Sequence, residues 1–150
     1  MHPHKSTVDQ WLHTRVPGAR LDENGVAAVR RDDDTLVIVE VPPDSDVCHL
    51  CALVGPLPEG LREPALFTAL EMNRFGRPLA GCWLALEPEI EMLTLCHNIN
   101  IPVTDGIAFA NTLDNFMTAI DIARAQLVPS EAVAAGERAG APELMASLGV

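Results

Sequence analysis

Residues 35–41 read Thr-Leu-Val-Ile-Val-Glu-Val and run into Pro42-Pro43. β-branched residues at this density fit a strand, and the two prolines close it. One face would carry Leu36, Ile38 and Glu40, the other Val37, Val39 and Val41. An antiparallel sheet covered on one side alternates apolar with polar residues; this strand is apolar on both. Residues 82–87 repeat the excess, with Leu84 and Leu86 set against Trp83 and Ala85. A large aliphatic side chain left in water forgoes about 1.5–3 kcal/mol of burial, so both faces call for cover. Either the chain's own helices and tail cover both, or a partner chain covers one.

Turn and periodicity signals arrange the rest of the chain around this strand. Val8–Val16 reads as a short helix stopped by Pro17-Gly18. Asp22-Glu23-Asn24-Gly25 is a turn, Gly25–Arg31 a strand, and Asp32-Asp33-Asp34 a hairpin connection. Val47–Leu53 is a third strand. Pro64 suits the first turn of a second helix reaching Asn73, with Leu66, Phe67, Leu70 and Asn73 assigned to one side. Cys82–Glu87 and Met92–Ile99 are two further strands. The last helix, Gly106–Leu127, has Asp105 or Thr104 as N-cap. Its apolar stripe is Phe109, Leu113, Phe116, Ile120, Ala123 and Leu127. The order α-β-β-β-α-β-β-α predicts an α+β domain, a twisted antiparallel sheet with helices packed on it. Residues 1–127 are expected to form that one domain. Residues 128–150, rich in Ala, Gly and Glu, are expected to form a mobile tail with a weak helix near Glu143–Leu148.

Composition narrows the partners. The 150 residues carry a net charge of −11, with two Trp, four Phe and no Tyr. Such a chain repels phosphate backbones and has few platforms for base stacking, which argues against nucleic acid. It would attract a basic polypeptide. No apolar run approaches the roughly 18 residues of a membrane span. The opening Met1-His2-Pro3-His4-Lys5-Ser6 lacks the apolar core of a secretion signal. A cytoplasmic location without membrane insertion is therefore expected, with the four cysteines as reduced thiols.

The chemistry-bearing residues form no convincing active site. Cys48-His49-Leu50-Cys51 has C-x-x-C spacing, but Cys82 and Cys96 make no second pair for zinc. On a strand, Cys48 and Cys51 would point to opposite faces. Ser6, Ser45, Ser130 and Ser147 sit in no nucleophile turn. The histidines lack paired-ligand spacing. The acidic groups Asp32-Asp33-Asp34 and Glu87, Glu89, Glu91 lie in predicted turns, where solvation explains them. The expectation is a protein with no catalytic residues, no metal and no cofactor.

The ordered set of segments resembles the class I type III secretion chaperones, the Tir chaperone (CesT-like) family. Residues 36–43 and 49–58 look like that family's second and third strands. Ala65-Leu66-Phe67-Thr68-Ala69-Leu70-Glu71-Met72-Asn73 resembles its "LL-x-x-N" helix, and Gly81–Glu87 the strand that follows. Thr94-Leu95-Cys96-His97 and the long last helix complete a match over about Val8 to Leu127. The resemblance implies a homodimer that binds the N-terminal segment of a secreted effector in extended form and keeps it competent for secretion. It implies neither catalysis nor a nucleotide.

Two surfaces follow as expectations. The first helix is too short to cover a sheet face, and Ala27 and Ala28 leave room for foreign side chains. Trp11, Leu12, Val26, Ala28, Leu36 and Ile38 are therefore candidates to line a partner groove. The surplus of apolar residues at Leu66, Leu70, Trp83 and Leu84 points to a dimer interface. The alternatives are a small dimeric α+β sensor or regulatory domain with no secretion substrate, and a thiol or zinc enzyme using Cys48 and Cys51.

Overall fold

The structure, a computed structural model, describes residues 2–74 and 78–127. The element order is α1 (Lys5–Arg15), β1 (Val26–Arg30), β2 (Leu36–Glu40), β3 (Val47–Pro56), α2 (Arg62–Met72), β4 (Trp83–Glu87), β5 (Met92–Asn100) and α3 (Gly106–Leu127). A 3-10 turn, Ile101–Val103, leads into α3. All strands are antiparallel, in the order β1-β2-β3-β5-β4, so β1 and β4 are the edges. The predicted α+β order is the observed one. The expected tail and its weak helix lie outside the described residues.

Local chemistry explains the joints. Asp22 Oδ1 accepts the N–H groups of Asn24 and Val26, both at 2.9 Å, which makes the turn into β1. Gly25 follows with φ +81°, and a Cβ there would stand 2.5 Å from the Val41 carbonyl oxygen. Only glycine satisfies both conditions. In the next hairpin, Asp33 Oδ1 accepts the Thr35 N–H at 3.1 Å. Of the two N-cap candidates for α3, Asp105 does the work, accepting the Ala108 N–H at 2.8 Å.

The helices gather on one face of the sheet. Val8 and Leu12 of α1, Ala69 and Met72 of α2 and the whole predicted stripe of α3 form one buried cluster with Val37, Val39, Leu50, Ala52 and Leu95. The opposite face carries Ala28, Ile38, Cys51 and Cys96 in register. None of these belongs to the helix-bearing cluster.

One expectation is corrected. The third strand does not end at Leu53: it runs to Pro56 through a register shift between Leu53 and Gly55, pairing Pro56 with Met92. In the second helix, the side carrying Leu66, Phe67 and Leu70 is not the buried one. Ala65, Ala69 and Met72 are buried, Leu66 is half-buried, and Phe67 and Leu70 face outward. Small residues toward the core let the helix sit close, which turns the larger ones out.

Candidate functional site

The residues expected to line one groove divide between opposite sides of the sheet. Leu12 is fully buried in the core, because α1 packs on the helix-bearing face. Trp11 stands beside it, half-buried, with its ring centroid 5.8 Å from that of Phe109. Val26, Ala28, Leu36 and Ile38 lie on the far face, where register brings Ala28 against Ile38 and Arg30 against Leu36. There Val26 and Ile38 are buried, Leu36 is half-buried and Ala28 is exposed. The structure thus brings four of the six together and places Trp11 and Leu12 elsewhere.

Trp11 instead borders a cleft of about 610 Å³ between α1 and the start of α3. Ile107 and Ala110 supply its other apolar walls, and Arg15 and Asp105 its charges. Gly106 admits the indole: a Cβ there would lie 3.1 Å from Trp11 Cδ1. Ile107 is 76% exposed and Val103, just before it, 81%. Sequence reasoning missed both, because neither falls on the stripe of α3; an apolar residue off that stripe is the signal that was available.

A third surface lies on α2 and β4. Phe67 is 65% exposed and Leu70 72%, one helical turn apart. Trp83 and Leu86 on the edge strand are also exposed. Leu70 and Trp83 therefore lie at the surface as a contact would require. Leu84 does not: it is buried on the helix-bearing face, fixed by Asn73, whose Oδ1 accepts the Leu84 N–H at 2.7 Å and whose Nδ2 donates to the Leu84 carbonyl at 3.0 Å.

The cysteines separate by face. Cys48 is buried among the helices' partners, and burial pushes its thiol up to about 12. Cys82 is likewise buried, its thiol raised to about 11 by desolvation. Cys51 stands on the other face, so the two ends of the C-x-x-C do not converge. Among the described residues no three His, Cys, Asp or Glu side chains gather where they could hold a metal ion. No helix among them is long and apolar enough to cross a membrane. The arrangement offers apolar surfaces and an acidic chain around them.

The sequence model of the Tir chaperone protein (CesT) family matches residues 12–124. Comparison with curated proteins gives no match. The fold is similar to that in the crystal structure of the ExsC-ExsE complex, with TM-score 0.69 and 20% identity over 84% of this chain and 97% of that one. It is similar to the ExoU-SpcU complex from the type III secretion system of Pseudomonas aeruginosa, with TM-score 0.61 and 21% identity over 81% and 95%. It is also similar to the Yersinia pestis type III secretion chaperone SycH in complex with a fragment of YscM2, with TM-score 0.60 and 20% identity over 79% and 98%. At these identities the structures establish the shared fold.

Proposed function

The chain belongs to the Tir chaperone protein (CesT) family, and from that membership we propose that it is a cytoplasmic type III secretion chaperone with no catalytic step of its own. It binds the N-terminal segment of a secreted effector in extended form and keeps it soluble and competent for export. The family match across residues 12–124 carries this reading. The solved structures of similar fold support it, each being a complex of two proteins and one of them that of a type III secretion chaperone.

The surfaces fit that work. The far sheet face offers Ala28, Leu36 and their neighbours to alternate side chains of an extended peptide. The cleft beside Trp11 and Ile107 offers a second apolar foothold. A segment that is disordered until bound can wrap several such footholds and still be released. The net charge of −11 favours basic segments. Self-association falls to α2 and β4, where outward Phe67 and Leu70 on the helix and Trp83 and Leu86 on either face of the edge strand supply apolar side chains for a homodimer.

The test is co-purification from the native host on a tagged chain, with the bound protein identified and its protected segment mapped by limited proteolysis. Protection of an N-terminal stretch of an exported protein is the expected result. Substituting Leu36→Asp and Ile107→Asp, with folding checked by circular dichroism, should weaken that co-purification while the dimer persists. Recovery of a regulator with no export signal would replace this reading with the sensor-domain alternative.

A further inference from the structure

Cys51 on β3 and Cys96 on β5 are direct partners in the antiparallel register. Both side chains point to the sheet face on which no described helix packs, and both residues are half-buried. Directly opposed residues of an antiparallel pair have Cα atoms about 4.5–5.5 Å apart. That lies inside the range a disulfide spans, about 4.4–6.8 Å. The other two cysteines are sealed on the helix-bearing side.

The two thiols are chemically unequal. The Cys51 thiol hydrogen-bonds to the Cys96 sulfur, which lowers the Cys96 pKa to about 7 and raises that of Cys51. Thr94 Oγ1, 3.9 Å from the Cys96 sulfur, helps to hold the thiolate. Glu87 and Glu40 oppose ionisation of Cys51, so of the two thiols Cys96 is the one that ionises first. A thiolate beside a second thiol is the arrangement of a nucleophile with its resolving partner.

We propose that Cys51 and Cys96 form a modification site at which glutathione disulfide converts the two thiols into a cross-strand disulfide. The Cys96 thiolate attacks one sulfur of glutathione disulfide, forming a mixed disulfide and expelling one glutathione thiolate. Cys51, giving up its proton, then attacks the Cys96 sulfur, forms the protein disulfide and expels the second glutathione. Two electrons pass from the cysteine pair to glutathione disulfide, and the two thiol protons end on the two glutathiones released. The product staples β3 to β5 at the centre of the face that Ile38 and Trp83 share with the pair.

The experiment incubates the full-length chain with glutathione disulfide, alkylates residual thiols, and reads intact mass and a non-reducing peptide map. The wild-type protein is expected to lose two hydrogens and to yield a peptide linked Cys51 to Cys96, restored by dithiothreitol. Cys51→Ser is expected to stop at one glutathione on Cys96, and Cys96→Ser to gain none. An unchanged wild-type mass, a persistent glutathione adduct on the wild type, or a link from Cys96 to Cys82 would each overturn the proposal. The wild-type peptide map decides the matter even where a serine variant fails to fold.

Discussion

Arg124, one turn from the end of α3, donates to Thr35 Oγ1 at 2.6 Å at the start of β2. The same guanidinium donates to the carbonyls of Leu53 at 2.8 Å and Val54 at 3.0 Å. Those carbonyls sit where the β3 register shifts, between Leu53 and Gly55. A planar fork of donors thus serves backbone acceptors at the irregularity and ties helix, hairpin and bulge together. Lysine cannot reproduce that fork. Arg124→Lys is expected to cost about 2 kcal/mol, a fall in melting temperature of roughly 4–8 °C for a domain of this size. Thermal unfolding of the two proteins side by side checks it.

Leu70→Asp and Phe67→Asp are expected to split the homodimer while leaving the fold intact, since both side chains lie outside the core. A charge at a dry contact is costly. Sedimentation at micromolar concentration should give a monomer for the double variant and a dimer for the parent. Leu84→Asp makes the contrast. Leu84 lies in the core, so that substitution should cost the fold, seen as a loss of cooperative unfolding.

Asp9 of α1 accepts the Leu21 N–H at 2.8 Å and pairs with Arg20 at 2.7 Å, fixing the segment that follows the helix. The Leu21 N–H, foremost, holds the Asp9 carboxyl below its ordinary value of 3.8. A depressed folded pKa means stability that is complete above the unfolded value and is lost as pH falls through the folded one. Asp9→Asn should therefore lower stability at neutral pH by about 1 kcal/mol. The gap to the parent should shrink below pH 3.8. Urea unfolding across that range gives the comparison.

The thiol of Cys48 is buried in the core. Cys48→Ala should cost about 1 kcal/mol through lost packing and leave partner binding unchanged. Treating the parent with a chelator should not move its melting temperature. Stoichiometric zinc in the purified protein, or a binding defect that zinc cures, would contradict this.

Asn73→Ala should cost about 1–2 kcal/mol, because the Leu84 N–H and carbonyl both lose their partner. Asn73→Asp keeps an acceptor for the N–H but loses the donor to the carbonyl, so its loss should be comparable. Chemical denaturation of the three proteins checks the order.

Long, regular signals were legible. The stripe from Phe109 to Leu127 and the cap at Asp105 survive translation into structure because both are local and periodic. The two-sided strand at Leu36–Glu40 was legible as a sheet interior that calls for cover on both faces. The faces of α2 were not. Hydrophobicity alone does not name the inner face of this helix, whereas close approach to α3 and β4 selects Ala65 and Ala69. The partition of the expected groove was illegible for a related reason. Periodicity tells that Leu12 is buried, but not which face of a sheet its helix packs on, and so it joined Leu12 to Ile38 across the thickness of the sheet. Gly55-Pro56 read as a stop because the bulge that carries β3 onward is a tertiary event.

The Asn73–Leu84 pairing bears on how this sheet meets the outside. Along an edge strand, the backbone groups of alternate residues point away from the neighbouring strand. Those of Leu84 are already taken, by a side chain from the adjoining helix end. Asn73 behaves as a one-residue strand, a plug in the row of docking points that β4 would otherwise show. An incoming chain cannot zip along that border without first ejecting the amide. Two copies of the protein meeting at α2 and β4 would therefore engage through side chains, as separate sheets, and the plug guards the same border against runaway stacking of sheet upon sheet.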